Sequence, residues 1–183
     1  MHSVRSLFQE APVNDIYNLL QICVYPEDRF ASAAFLRSPL INLSDLSFAE
    51  FMLSGKPVFA EGQQECCVTS EDLDKYNRAR TLYTEVCDMT DKAPVADIIS
   101  TVWFKSGYRY LILQDAALHG YLEYYDYLHE LASGFDRRSG SMAEFLDKVR
   151  ENLGEYKKLD ELKILGYSAS GVNIMPVHQS KGL

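Results

Sequence analysis

Apolar side chains recur three and four residues apart along most of this chain, a spacing that admits little besides helices packed on apolar stripes. Ile16, Leu19, Leu20 and Cys23 share one face of a first helix, with Asn14 placed to cap it. Phe30 to Leu36 gives a second, short apolar face. Leu46, Phe48, Phe51 and Met52 give a third, which Gly55 and Pro57 stop. Ser70 is positioned to cap a longer helix whose stripe reads Leu73, Tyr76, Ala79, Tyr83, Val86 and Cys87. Pro94 opens another at its first turn; Val95, Ile98, Ile99, Val102 and Trp103 face inward, and Gly107 ends it. Leu118, Tyr121, Leu122, Tyr125, Leu128 and Leu131 mark a strongly amphipathic helix closed by Gly134. Ser141-Met-Ala-Glu144 is a capping box, in which the serine oxygen takes a free amide and the glutamate reaches back. Phe145, Leu146, Val149 and Leu153 follow it. Only Val172-Asn-Ile-Met175 alternates like a strand. The predicted fold class is therefore mainly α, with one short β-strand near the C-terminus.

At 183 residues the chain suits one domain, with at most a piece of a second. Its 47% apolar and 24% charged residues are ordinary for a soluble globular protein, and no apolar run approaches the ~20 residues that cross a bilayer. The first residues lack the pattern of a secretory leader, so none is expected. Cys23, Cys66, Cys67 and Cys87 lack metal-ligand spacing, so reduced thiols in a cytoplasmic protein are expected. The net charge of −8 argues against a free-standing nucleic-acid binder, because affinity for phosphate comes from Lys and Arg. The charge is uneven, however. Residues 1–136 hold 10 basic and 20 acidic side chains, whereas residues 137–163 hold 7 basic and 6 acidic. Any surface that meets DNA belongs to that later segment, with Arg137 and Arg138 at its head. The alternative for the same segment is a solvated helix face of mixed charge.

Motifs for catalysis are hard to find. A phosphate loop needs GxxxxGK[ST]; the only Gly-Lys pair is Gly55-Lys56, with Pro57 where the hydroxyl residue must stand. It reads as a helix stop. Asp160-Glu161 could mimic a magnesium-holding pair, yet Gly154-Glu-Tyr-Lys-Lys158 precedes it instead of a buried strand, so a surface helix is expected. His119 and His129 stand ten residues apart with no third ligand at a useful spacing. Tyr121, Tyr124, Tyr125 and Tyr127 could stack on bases, but their helical spacing favours packing. No Ser-His-Asp set, HExxH or nuclease carboxylate cluster emerges. No catalytic residue and no metal site is assigned.

Two stretches point beyond this. The segment VNIMPVHQSKGL, residues 172–183, resembles motif V of superfamily one helicases of the UvrD/RecB type, which reads apolar-apolar-Thr-x-His-x-x-Lys-Gly-Leu-Glu-Phe. His178, Lys181, Gly182 and Leu183 match it in register. Phe35-Leu-Arg-Ser-Pro-Leu-Ile-Asn-Leu-Ser-Asp45 is similar to the signature that opens the inserted helical subdomain, called 2B, in helicase–nuclease proteins of the AddA/RecB kind. Tyr25-Pro-Glu-Asp28 after the first helix, Ser106-Gly-Tyr108 and Met142-Ala-Glu-Phe145 are further echoes. These anchors span nearly the whole chain.

The resemblance implies a helical 2B-like insertion over residues 1–171 and the start of a RecA-like 2A domain over 172–183, in a piece cut from a larger polypeptide. The parent would be an ATP-dependent DNA helicase and exonuclease of recombination and double-strand break repair, with ATP and Mg2+ bound outside this segment. The implied DNA-binding residues are His178 and Lys181 on the single strand, with Arg137 and Arg138 on duplex. Lys181 and Gly182 would face the nucleotide. A strand-to-helix turn with free amides and a glycine suits an anion, and backbone contacts grip any sequence. Pro176 occupies the usual threonine position and brings neither hydroxyl nor amide hydrogen, so the threonine contact is not carried over. The expected protein partners are other domains of the parent and a partner subunit. The isolated chain should be inactive. The other reading is a free-standing helical protein-interaction module.

Overall fold

A computed structural model describes residues 11–138 and 140–154, with side chains up to residue 150. The described elements are all helical: α1 (Val13–Val24), α2 (Arg29–Arg37), α3 (Asp45–Ser54), α4 (Ser70–Met89), α5 (Val95–Lys105), α6 (Tyr108–Gln114), α7 (Tyr121–Asp136) and α8 (Met142–Gly154). No strand occurs among the described residues. The expected strand at 172–175 and the domain boundary at 171/172 lie outside them, as does the expected surface helix at Asp160-Glu161.

The central element is α1, which packs against α2, α4, α5, α7 and α8. A helix surrounded in this way must be apolar all round or have every polar group partnered. Val13, Ile16, Leu19 and Leu20 supply the first condition. Asp15, Asn18 and Gln21 are also buried and meet the second. Tyr108 donates to Asp15 at 2.6 Å, Asn18 donates to the Asn14 carbonyl at 2.7 Å, and Gln21 donates to Asp28 at 3.0 Å.

Two aromatic clusters flank this helix. Phe59 lies against Tyr83, Tyr76 and Phe35 on one side, with centroid distances of 4.4, 5.4 and 6.0 Å. On the other, Trp103 of α5 stacks on Tyr125 of α7 at 4.2 Å and 8° between planes, with Tyr108 at 5.8 Å on Trp103. The inward stripe expected for α5 is buried throughout, and Pro94 stands immediately before its first residue.

Several ends differ from the sequence expectations. Asn14 lies inside α1 and its carbonyl serves Asn18; Pro12 holds the cap position. Thr69, not Ser70, caps α4, its hydroxyl accepting from the Asp72 amide at 3.1 Å. Phe30 is 92% exposed because the buried face of α2 is Ala31, Phe35 and Leu36, and Leu46 likewise turns outward from α3. Gly134 does not close α7, which runs on through Phe135 and Asp136. Gly55 does end α3, in the left-handed region at φ 65°, where a side chain would be strained. The Ser141–Glu144 box forms as expected, with reciprocal bonds of 3.1 and 3.3 Å.

Candidate nucleic-acid interface

The turn after α7 carries Arg137 and Arg138, both exposed. Its position is fixed by the two residues that precede it. Asp136 turns away from solvent and accepts from the amides of Val95 at 2.8 Å and Ala96 at 3.0 Å, so it caps the start of α5 from another helix. Phe135 is buried against Phe145 of α8 at 5.4 Å, and its carbonyl takes the Arg138 amide at 2.8 Å. Gly140 completes the turn at a point where a Cβ would sit 2.3 Å from the Phe135 ring, so only glycine fits without a shift. The guanidinium groups thus leave an anchored turn, and two such groups can pair with phosphate oxygens without reading bases. Nearby on α8, the Lys148 ammonium lies over the Phe135 ring at 5.8 Å, and Arg150 is paired with Asp147.

A cleft of about 520 Å³ lies beside this turn, lined by Asp91, Lys92, Pro94, Asp136, Ser141 and Met142 among others. Its carboxylates are committed to helix starts. Asp136 holds α5, and Asp91 accepts from the Met142 amide at 3.4 Å. They are therefore poor candidates for acid–base work or metal ligation. Among the described residues no group of three His, Cys, Asp or Glu side chains could hold a metal ion.

The remaining candidates divide cleanly. Tyr125 is buried beneath Trp103, and Tyr121, Tyr124 and Tyr127 pack against the core, in line with the packing expectation. His129 rests on the Tyr125 ring at 5.9 Å, and His119 is exposed near the Leu113 carbonyl. His178, Lys181 and Gly182 lie outside the described residues, so the structure places only the arginine pair.

The stretch Phe35 to Asp45 is a tight local knot. Arg37 reaches forward to Asp45 at 2.5 Å and the Leu43 carbonyl at 3.3 Å, while its guanidinium covers the Phe48 ring at 5.6 Å. Ser38 closes α2 by donating to the Phe35 carbonyl at 2.7 Å. Ser44 caps α3 and ties it to α4: its amide and hydroxyl donate to Asp72 at 3.1 and 2.6 Å, and Ser47 adds a third bond at 2.7 Å. Burial alone would raise the Asp72 carboxyl, but the donors from Ser44, Ser47 and Thr69 outweigh it and hold the carboxyl down at about 2. Every polar residue of this stretch that the structure engages serves the fold. The sequence reading missed Asp72 and Asp136. Asp72 was findable, three residues after Thr69 in a capping pattern; Asp136 was not, because its partners lie forty residues away.

Comparison with known proteins adds what geometry alone leaves open. The chain is 27% identical to an ATP-dependent helicase/nuclease subunit of Ruminiclostridium cellulolyticum over 96% of its own length, which is 14% of that protein. The protein of the same name from Limosilactobacillus reuteri is 22% identical over 100% of the chain and 14% of its own length. That from Lactobacillus delbrueckii is 24% identical over 98% and 15%. The similarity supports a helicase–nuclease family. The chain spans about one-seventh of the length of these relatives. No family model matches, and no solved structure matches. Among the described residues no helix is long and apolar enough to cross a membrane.

Proposed function

We propose that this chain is the helical 2B-type insertion of an ATP-dependent DNA helicase and nuclease, followed from residue 172 by motif V of its second RecA-like domain. The observation that carries the reading is similarity to a single named protein over the whole chain, taking in both the 35–45 knot and the 172–183 tail. In this reading the helical part has no chemistry of its own. It presents Arg137 and Arg138 to duplex backbone, while His178 and Lys181 meet the translocated strand and Lys181 and Gly182 face the nucleotide. ATP and Mg2+ bind to other domains of the parent, which works in the cytoplasm on DNA breaks with a partner subunit.

Steady-state ATP hydrolysis with single-stranded DNA tests the division of labour. The purified 183-residue chain should show none, and robust turnover by it overturns the proposal. The DNA contact is tested in the full-length enzyme with R137E and R138E combined. Duplex affinity should fall, and the salt slope should flatten by about two, one for each phosphate released. Unchanged affinity and slope remove the contact.

One feature favours the second reading, a free-standing interaction module. Phe104, Tyr110, Leu111 and Leu113 form an apolar exposed set on α5 and α6, of the kind another protein surface covers. The coding frame separates the two: Glu-Phe directly after Leu183 favours the helicase, and a stop codon there favours the module.

A further inference from the structure

Cys23 and Cys87 are distant in sequence but stand at corresponding ends of two packed helices. Cys23 is in the last turn of α1 and Cys87 in the last turn of α4. The contact between these ends is independently marked by the Tyr83 hydroxyl, one turn before Cys87, which donates to the carbonyl of Ile22, the neighbour of Cys23, at 3.5 Å. Both thiols are half-buried, and no disulfide joins them. A cleft of about 240 Å³ walled by Ile22, Pro26, Pro57, Phe59 and Tyr83 reaches the chain neighbour of Cys23 and the residue one turn before Cys87.

We propose that Cys23 and Cys87 form an oxidative modification site, in which a peroxide converts the thiol pair into a disulfide that staples α1 to α4. The two sulfurs have unequal roles. A hydrogen bond from the Cys23 thiol, helped by the nearby Tyr83 hydroxyl, offsets burial and lowers the Cys87 thiol. The same bond, reinforced by burial, pushes the Cys23 thiol up. The thiolate is the nucleophile in such chemistry, so Cys87 attacks first and Cys23 resolves. The Cys87 thiolate attacks the peroxide O–O bond, keeps one oxygen as a sulfenic acid, and releases hydroxide that takes a proton to become water. The Cys23 sulfur then attacks that sulfenic sulfur, its proton leaving with the displaced hydroxyl as a second water. Two thiols lose two electrons and two protons, and the peroxide accepts both. Cys66 and Cys67 offer no such pairing. Both thiols are raised, Cys67 to about 11, chiefly by burial with nearby carboxylates adding to it.

Limited hydrogen peroxide treatment of the native full chain, followed by alkylation, trypsin and mass spectrometry, tests the site. Cys23 falls in peptide 6–29, Cys87 in 81–92, and Cys66 with Cys67 in 38–75, so the three are read separately. The expected product links 6–29 to 81–92, forms on the order of tenfold faster than oxidation of peptide 38–75, and is reversed by a dithiol. In C23S, Cys87 should instead accumulate as a sulfenic acid trapped by dimedone. Recovery of Cys23 and Cys87 as free alkylated thiols after peptide 38–75 has been oxidised overturns the proposal. The wild-type map alone decides it should the variant fail to fold.

Discussion

Asp72, at the junction of α3 and α4, and Asp15, in the first turn of α1, are both nearly shut off from water, yet their carboxyls shift in opposite directions. Asp72 receives two hydroxyl bonds and one backbone amide, and its carboxyl is held at about 2. Asp15 receives one bond, from Tyr108, which does not offset its burial, so its carboxyl is raised. At Asp72 the donors outweigh burial, and at Asp15 burial outweighs the single donor. Among the described residues no buried polar side-chain atom lacks a partner, so the contrast lies in how well each charge is compensated.

Breaking the first site should have the largest effect. D72A leaves the Ser44 and Ser47 hydroxyls and a Ser44 amide without their acceptor in a dry junction, at a cost of roughly 3 kcal/mol. Urea unfolding at pH 7 measures it, and a loss under 1 kcal/mol would mean that solvent reaches the junction. Smaller is the effect of Y108F, which removes the sole side-chain donor to Asp15 and should cost about 1–2 kcal/mol.

The acid response sharpens the comparison further. Asp72 is depressed, so its stabilisation is complete above the ordinary carboxyl value of about 4 and is lost as pH falls toward about 2. Asp15 is raised, and the sign reverses. The folded state keeps a proton that the unfolded chain releases, so this group costs stability as pH rises above about 4. D15N keeps an acceptor for Tyr108 and removes the titration. Its stability at pH 7 should equal or exceed that of the wild type by up to about 1 kcal/mol, with the gain vanishing below about pH 4. A gain that persisted at pH 3 would show that Asp15 acts by packing alone. Smallest of all, R137E with R138E should alter stability by less than about 0.5 kcal/mol, since both side chains are exposed on a turn held by Phe135 and Asp136. A larger loss would assign them a structural role in place of the duplex contact.

Much of the fold was legible because its signals are local. The stripe of α5, the glycine stop at Gly55 and the Ser141–Glu144 box each depend on residues within one or two turns, and each forms where the pattern places it. The misreadings have one cause. Gly134 is a plausible helix end by itself, but docking of Phe135 on Phe145 and of Asp136 on the start of α5 outweighs the roughly 1 kcal/mol that a glycine costs inside a helix. Phe30 belongs to an apolar run, yet the buried face of α2 is set by what lies opposite it. At the candidate interface, the arginine pair was visible as charge. The anchoring that gives it a fixed position was not, because its partners come from α5 and α8.

The order of residues determined the helical texture, most helix limits and the likeness to a helicase–nuclease protein, because periodicity, caps and motif residues act over short spans of chain. Only the tertiary structure decided that α1 would be enclosed, that the Asp72 carboxyl would be held down while that of Asp15 is raised, and that Cys23 would meet Cys87. Those outcomes depend on which groups distant stretches bring within hydrogen-bonding reach, a quantity set by packing rather than by neighbours in sequence.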